Sequence, residues 1–490
     1  MADDDSKTLA CRRTAKIRQY VAAILANLSA FSIGTMLGWT SPMQPLLSSD
    51  NPPVGTEPIS TEFISWVGSI NFIGAFCGTF FWGIASDRLG RKYTALLDAI
   101  PFIVSWIVIL TARNVWWLLA ARFIVGIGCS GVIINIPIYV AEMADDKIRG
   151  SLGSFLMICV NSGCVFSYVI GSLTSYHGLA AICLCIPIVF LMLFSCLPDS
   201  PSYLWNHGKR KEAERSLLWF RGGHIQQTLK EIEDLKIRPE KFTAKPSFRD
   251  LFRSKGVKKA VILSITFVIG QQFSGILAIL TYTVKIFQES GSSLSAHSSM
   301  IVVGILQLSS ALMSSFVVDR AGRRFLLITS YCAMSISLST LSTYLYFYDD
   351  SWNPLLKWIP IVCMSTNVIF YSVGVGPVPF VVMSEIFPPD IRGFATSKIH
   401  LLGTSLSFAT VKTFPFLTSL FGIHGCFLLY AVFCAILSIF NFKMLPETKG
   451  KPLQTILKLL NGEDTTKIGE SECLELVSEQ KTTVVKNQLE

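Results

Sequence analysis

Charged residues are scarce in this chain of 490 residues: only 15% are Asp, Glu, Lys or Arg, whereas 51% are hydrophobic. The mean hydropathy is accordingly high, at +0.50. Several stretches lack charge altogether and reach or exceed the roughly 20 residues that cross a bilayer as a helix. They are residues 20–49, 63–86, 123–141, 150–198, 260–284 and 325–348. This composition excludes an ordinary soluble globular protein.

Short alternating strands, the pattern of a membrane β-barrel, are also missing. The uncharged stretches, with shorter or interrupted ones added, predict twelve transmembrane helices. These lie near residues 20–42, 63–85, 94–112, 115–141, 151–174, 179–197, 260–284, 299–318, 325–347, 358–384, 394–420 and 423–443. The first apolar run is too long for a secretory signal, so we expect it to remain in the protein. We therefore predict an all-α, multi-pass protein of the plasma membrane.

Residue patterns that build enzyme or metal sites are absent from the sequence. The six His are scattered, and no Ser-His-Asp arrangement, metal-ligand spacing or phosphate-binding loop stands out. None of the 13 Cys falls in a predicted exterior loop, so we expect no disulfide framework. We expect no enzymatic activity, no metal and no cofactor.

Basic residues give the chain a net charge of +9, and most of them gather in alternate connections between the spans. The exceptions are Arg113, Arg122, Lys285, Lys357 and Lys412. Cytoplasmic loops of membrane proteins accumulate Lys and Arg, so both termini are predicted to face the cytoplasm. Because this distribution orients helices in a bilayer, we expect lipid as a partner and no binding to nucleic acid.

Two charged phrases occur twice, in the same order. SDRLGRK at 86–92 returns as VDRAGRR at 318–324. A Glu followed seven residues later by Arg-Gly occurs at 142–150 and again at 385–393. The repeat predicts two six-helix bundles with a basic linker between them. The predicted segments are a cytoplasmic N-terminus (1–19), a first bundle (20–198), a linker with short helices (199–259), a second bundle (260–443) and a cytoplasmic tail (444–490).

Duplicated bundles are typical of transporters, in which two similar halves rock about a site between them. The repeated charges lie at cytoplasmic helix ends, where salt bridges would hold that side shut and break as it opens. Water-exposed pairs contribute only about 0–1 kcal/mol each, so such a network can open repeatedly. The alternative is that these charges only anchor helices at lipid headgroups. The predicted gate residues are Asp87, Arg91, Glu142, Arg149, Asp319, Arg323, Glu385 and Arg392.

From about residue 20 to 450, the chain resembles the sugar porters of the major facilitator superfamily. The motifs are GIASDRLGRK (83–92), RFIVGIGCSG (122–131), PIYVAEM (137–143), PDSPSYL (198–204), QQFSG (271–275), DRAGRR (319–324), GPVPF (376–380), EIFPPDIRG (385–393) and PETKG (446–450). QQFSGI and the KTF at 412–414 are similar to insect facilitated trehalose transporters. The resemblance implies the major facilitator fold and sugar transport by alternating access.

A sugar presents hydroxyl groups and apolar C–H faces, so its site needs amide side chains and aromatic faces. Gln271 and Gln272, near the middle of span seven, and Gln307 in span eight place amides at membrane depth. For Gln307 alone, a contact between helices is the alternative. The resemblance implies that these three glutamines bind sugar and that Phe380 covers the path.

Other sugar contacts that the resemblance implies are missing. Leu277 and Met157 stand where the family has Asn and Gln, and Gly403-Thr404 stands where it has Asn-Trp. Phe380 replaces a Trp. A hexose hydroxyl left unpaired costs about 1–3 kcal/mol, which argues against glucose. The altered pocket favours a disaccharide such as trehalose, a related sugar or another polyol.

Span one contains no acidic residue. In proton-coupled relatives an Asp there lies near an Arg of span four; here the corresponding residues are Thr35 and Arg122. Asp98 lies close to a cytoplasmic loop in the predicted span, and we expect it to pair with a basic loop residue. These observations favour facilitated diffusion. A proton-coupled symporter and a non-transporting sugar sensor are the alternatives.

Glycine and proline interrupt two spans. Gly275 can loosen span seven, and Gly376, Pro377 and Pro379 are predicted to bend span ten, because proline removes a helix donor. The resemblance implies that these positions act as hinges and that the bend gates the exterior side; a kink needed only for packing is the alternative. Lys412 is interpreted as a snorkelling cation rather than a substrate ligand.

Overall fold

The computed structural model describes residues 2–145, 148–237, 248–348 and 353–449, with positions 451, 455, 456 and 459. Most of the predicted tail therefore lies outside the described residues. The first half contains α1 (Ala2–Leu47), α2 (Thr61–Leu89), α3 (Arg91–Leu110), α4 (Val115–Met143), α5 (Arg149–Gly153), α6 (Phe155–Leu173) and α7 (Tyr176–Ser195).

Short helices then occupy the predicted linker: α8 (Pro201–Asn206), α9 (Arg210–Phe220) and α10 (Ile225–Ile237). The second half contains α11 (Lys255–Phe273), α12 (Ile276–Thr281), α13 (Thr283–Glu289), α14 (Ala296–Ala321), α15 (Arg323–Phe347), α16 (Ile359–Phe370), α17 (Val378–Ile386) and α18 (Pro389–Met444). A π-helical turn, Tyr371–Val375, joins α16 to α17.

Within the described ranges, 11 helical segments are long and apolar enough to cross a membrane. The last of them, α18, breaks at Gly422, whose φ of 70° is not helical. Gly422 falls between the two final predicted spans, so α18 contains both of them. The predicted all-α fold with twelve membrane helices is thereby confirmed.

At one end of the bundle, polar caps determine where four of the spans begin. Ser60, Asn114, Ser175 and Ser295 each accept a hydrogen bond from the backbone N–H three residues later, at 3.4, 3.3, 3.2 and 3.1 Å respectively. The first turn of a helix leaves its N–H groups without partners, and such a cap contributes about 1 kcal/mol. The caps define the start of α2, α4, α7 and α14, all at one end of the bundle.

We call this capped end the opposite end, and we call the end that carries Arg91 and Arg323 the basic end. The two halves of the protein touch through α2 with α18, α6 with α14, and α1 with α12 and α13. These four helix pairs form the walls of the interface between the halves.

The interface between the halves is tight at the opposite end and open toward the basic end. Near the opposite end, Cys164 and Tyr168 of α6 pack with Val284 and Met300 of the second half in one buried cluster. Along the same face of α6, exposure rises from 2% at Tyr168 to 6% at Cys164 and 51% at Met157. A cleft between the halves therefore widens toward the basic end.

Candidate functional site

The two glutamines of span seven lie in the last turn of α11, directly before a break in the helix. Ser274 Oγ donates to the Gln271 carbonyl at 2.7 Å, and Gly275 adopts a left-handed backbone with φ 76°. A Cβ at Gly275 would lie 2.4 Å from the Tyr430 ring, so glycine is required for this approach. The predicted break at Gly275 is present; its action as a hinge stays a prediction.

The bend of span ten contacts Gln271. The side-chain Nε2 of Gln271 donates to the Gly376 carbonyl at 3.5 Å, a long bond that links α11 to the bend. Pro377 has no N–H to offer the Val373 carbonyl, and Ser314 Oγ donates to that carbonyl at 3.4 Å. The predicted bend is therefore present and partly compensated by a neighbouring helix.

Beyond the bend, Pro379 lies in the first turn of α17, where a missing N–H removes no helix bond. The next residue, Phe380, is 43% exposed and lies on the basic-end side of the bend. The structure thus places Phe380 away from the opposite end, where the interface is tight. Its role as a cover over the path stays a prediction.

Gln272 is enclosed in the protein, with 7% of its surface exposed. Its Oε1 has no hydrogen-bond partner among the described residues. An enclosed amide oxygen without a donor costs about 1–3 kcal/mol unless water or a ligand supplies one. Among the predicted site residues, Gln272 is therefore the one whose side-chain oxygen most clearly requires a hydrogen bond from a ligand or water.

Gln307 reaches across the interface between the halves. Its Nε2 donates to Asn161 Oδ1 at 3.0 Å, which joins α14 to α6. Sequence reasoning missed Asn161, although an amide in an uncharged span, one turn from Met157, was a usable signal. The contact between helices that was the alternative for Gln307 is present, and it links the two halves.

At the basic end, Arg91 carries the charge network of the first half. It pairs with Glu142 at 3.1 Å and with Asp87 at 3.5 Å. Glu142 also accepts a hydrogen bond from the Ser200 hydroxyl. Three of the predicted gate residues of this half are therefore in direct contact.

The second half repeats this arrangement. Arg323 pairs with Glu385 at 3.0 Å, and Thr448 Oγ1 donates to Glu385 at 2.6 Å. The side chain of Asp319 lies outside the described residues. In both halves a glutamate thus joins an arginine to a hydroxyl group, and each of these ion pairs lies within one half.

A third repeated element caps the helices that follow the charged phrases. Asp199 Oδ1 accepts the Lys92 backbone N–H of α3 at 2.9 Å. Glu447 accepts two backbone N–H groups of the first turn of α15, at 3.0 and 3.1 Å. Pro-Asp-Ser at 198–200 and Pro-Glu-Thr at 446–448 therefore hold equivalent positions. Sequence reasoning used both motifs as family markers and missed that they correspond to each other.

The two capping acids differ in their ionisation. Burial raises the pKa of Asp199, and hydrogen bonds from backbone N–H groups such as that of Lys92 offset this only in part. Burial also acts to raise the pKa of Glu447, but several backbone N–H groups donate to it, and its pKa falls below the ordinary value. Glu447 is thus the more firmly ionised of the two caps.

The other two predicted gate arginines contact the backbone at helix ends. Arg149 donates to the Ala141 and Ala144 carbonyls at 3.1 and 3.4 Å. Arg392 donates twice to the Phe387 carbonyl, at 3.3 and 3.2 Å. Both satisfy carbonyl groups that a helix leaves unpaired at its C-terminal end. Their part in a gate stays a prediction.

Arg122 is held at membrane depth by uncharged acceptors. It donates to the Val67 carbonyl at 3.1 Å, the Met36 carbonyl at 2.8 Å and Thr40 Oγ1 at 2.7 Å. The hydroxyl of Thr35 donates to a carbonyl of its own helix at 2.9 Å. These contacts agree with the absence of an acid from span one.

Asp98 does not reach a basic loop residue, so that prediction is wrong. Its side chain is 0% exposed, and neither carboxyl oxygen has a partner among the described residues. A Cβ on Gly131 would lie 1.9 Å from Asp98 Oδ1, which shows that the carboxyl group faces α4. Because α3 begins at Arg91, Asp98 lies about 10 Å along the helix and is turned inward.

Lys412 makes a contact between the halves at the opposite end. Its Nζ donates to Ser65 Oγ at 2.8 Å and lies 4.2 Å from the centroid of the Trp66 ring. The Trp66 ring packs in turn against Phe408, with 5.8 Å between ring centroids. The interpretation of Lys412 as a snorkelling cation is corrected, since its ammonium group binds protein.

Two six-helix bundles with matching charged networks define a transporter of the major facilitator class. A family model described as Sugar (and other) transporter matches residues 19–460. The chain belongs to this family of transporters; it is a multi-pass membrane protein and not an enzyme. The predicted family is thereby confirmed.

Relatives with known names agree with this assignment. "Facilitated trehalose transporter Tret1" from Apis mellifera ligustica is 34% identical over 447 residues, covering 91% of this chain and 88% of the relative. The protein of the same name from Polypedilum vanderplanki is 32% identical over 449 residues, covering 91% and 88%. The inward-open xylose transporter XylE from E. coli has a TM-score of 0.73 and 22% identity, covering 91% of this chain and 99% of that chain.

Proposed function

We propose that this chain is a facilitative transporter of trehalose or a related sugar, working by alternating access across the plasma membrane. We also propose that the basic end faces the cytoplasm, because Lys and Arg accumulate there. The observation that carries the proposal is the cleft between the halves, which is tight at the opposite end and has amides from both halves near its closed part. The names of the relatives support the choice of sugar.

We infer that Gln271, Gln272 and Gln307 bind the sugar and that Phe380 lies beside its path. At 1.5 Å per residue, Gln271 is about 24 Å along α11 and Gln307 about 21 Å along α14, both counted from the basic end. Amides at similar depth suit hydroxyl groups, because each amide donates and accepts. The unpartnered Oε1 of Gln272 supports this assignment.

We propose that the basic-end network is the cytoplasmic gate. In the present conformation, Arg91 with Glu142 and Arg323 with Glu385 each stabilise their own bundle. When the halves rock together, the two sets of charges approach and exchange partners. Partly exposed ion pairs contribute little individually, so they can re-form in each cycle. The breaks at Gly275 and at the span-ten bend allow α12 and α17 to move with this rocking.

Oocytes expressing this chain are expected to take up trehalose with saturable kinetics. A proton ionophore is expected to leave this uptake unchanged. Radiolabelled trehalose and glucose are measured in parallel, with water-injected oocytes as the control. Weak glucose uptake is expected, because the family amides at Leu277 and Met157 are missing. Absence of uptake of both sugars, in oocytes that carry the protein at their surface, would contradict the proposal.

Asp98 favours a second candidate, a proton-coupled sugar symporter. Its carboxyl group is enclosed and unpartnered among the described residues, and intramembrane acids of this kind often serve proton relays. The same oocyte experiment separates the two candidates. Uptake that collapses when the ionophore is added identifies the symporter, whereas unchanged uptake identifies facilitated diffusion.

Lys412→Met is expected to shift the protein toward the state that is open to the exterior. The ammonium contacts Ser65 and Trp66 across the halves, and losing about 1 kcal/mol of such contact changes an equilibrium about fivefold. The measurement is the labelling rate of a cysteine introduced at Gly68, which packs against Thr281 and Val411. A membrane-impermeant maleimide is added outside, with the exposed native cysteines replaced by serine.

Lys285→Met is the matched control for this experiment. Lys285 loses the same charge, but its ion pair with Glu289, at 3.8 Å, lies within α13. Its labelling rate is expected to equal that of the parent. If Lys412→Met also labels at the parental rate, Lys412 does not hold the exterior side closed.

A further inference from the structure

The amide pair of Asn161 and Gln307 lies where the tight part of the interface ends. One turn nearer the opposite end, a Cβ on Gly304 would lie 2.8 Å from the Tyr168 ring, so α14 and α6 are in close contact there. One turn nearer the basic end, Met157 is 51% exposed. The pair therefore lies at the closed end of the cleft, where the cleft meets the tight part of the interface.

This pair retains unused hydrogen-bonding capacity. Its bond uses Asn161 Oδ1 and one N–H of Gln307, which leaves Asn161 Nδ2 and Gln307 Oε1 available. No described residue forms a hydrogen bond with either atom, and neither atom is fully enclosed by protein. A donor and an acceptor are thus accessible side by side at the end of the cleft.

The amides of the cleft come in two sets on different helices. Gln271 and Gln272 belong to α11 and are linked to the span-ten bend through Gly376. Asn161 and Gln307 belong to α6 and α14. Two separate sets suit a ligand with two hydroxyl-bearing rings better than a ligand with one.

We propose that Asn161 determines specificity by holding, with Gln307, the second ring of a disaccharide, while Gln271 and Gln272 hold the first. The proposal rests on the proposed function. In this arrangement Asn161 Nδ2 donates to a hydroxyl oxygen, and a hydroxyl of the same ring donates to Gln307 Oε1. A monosaccharide bound at α11 leaves the second set unoccupied.

The test is the KM for trehalose uptake in the full-length Asn161→Val variant, whose side chain has similar size and no polar atom. Losing one hydrogen bond to an enclosed group is expected to raise the KM about tenfold. The inhibition constant of glucose against trehalose uptake is expected to stay at the parental value. A shift of both constants by the same factor would indicate a merely structural role and overturn the proposal.

Two further variants keep the result interpretable. Asn161→Ser keeps a polar side chain, but its hydroxyl is too short to reach a sugar in the cleft. We expect the same rise in KM for this variant, which replaces the valine variant in the test if the valine variant does not reach the surface. Ser162→Ala is the control, because Ser162 Oγ donates to the Ile158 carbonyl of its own helix at 2.8 Å; its KM is expected to be unchanged.

The unmodified chain is measured in the same batch of oocytes. Trehalose uptake by the parent with an unchanged KM in both Asn161 variants overturns the specificity role and leaves the proposed function intact. Absence of trehalose uptake by the parent overturns the proposed function, and the assignment of a second ring to Asn161 with it.

Discussion

Sugar uptake is expected to fall to background when Gln271 and Gln272 are both replaced by alanine, while the amount of protein at the cell surface stays unchanged. Gln271 links α11 to the span-ten bend, and Gln272 carries an enclosed oxygen that lacks a donor. Each sugar hydroxyl left unpaired costs about 1–3 kcal/mol of binding free energy. Because a sugar site binds weakly, removing both amides is expected to abolish binding. The measurement is initial trehalose uptake, normalised to surface biotinylation.

Thr266→Ala is the control on the same helix. Its Oγ1 donates to the Ile262 carbonyl of α11 at 2.9 Å, so its removal leaves the cleft unaltered. Uptake by this variant is expected to match the parent. If the double glutamine variant transported sugar at the parental rate, Gln271 and Gln272 would no longer be candidates for the binding site.

Gly90→Ala is expected to destabilise the first bundle severely. Gly90 has φ 100° and ψ 164°, a backbone region that costs other residues about 1–3 kcal/mol. An added Cβ would also lie 2.5 Å from Asp199 Oδ2 and 2.7 Å from the Tyr203 ring, so the cap on α3 must shift. We expect a melting temperature several degrees lower for the solubilised protein and less protein at the surface.

Gly83→Ala is the matched control in the same motif. Gly83 lies inside α2, and an added Cβ meets no atom within 4 Å. Alanine is favoured over glycine in a helix by up to about 1 kcal/mol, so stability is expected to be unchanged or slightly higher. Equal melting temperatures for Gly90→Ala and the parent would show that the turn tolerates a side chain.

The charged repeat illustrates how far sequence reasoning reaches. The matching phrases led to Arg91 with Glu142 and Arg323 with Glu385, and the structure brings both pairs together. The repeat also grouped these charges by half, and each ion pair does lie within its own half. The hydroxyl partners of the two glutamates, Ser200 and Thr448, were not expected, because spacing along the chain does not show which side chains meet there.

Three side chains show where sequence reasoning ends. Asp98 was expected near the surface and is enclosed; Lys412 was expected to reach lipid headgroups and binds Ser65; Asn161 was overlooked and binds Gln307. Each lies on a correctly predicted span. What the sequence did not supply was the rotation of each helix about its axis, which decides whether a side chain meets lipid, a cleft or another helix.

The sequence by itself determined the class of this protein: the absence of charge set the spans, the basic residues predicted their orientation, and the repeat predicted two halves. These properties are local or additive, because burial in a bilayer depends on the composition of about 20 successive residues. Only the tertiary structure decided which end of the interface is tight and which residues meet across it. Those contacts join Lys412 to Ser65 and Gln307 to Asn161, pairs far apart in the chain that meet only through the packing of whole helices.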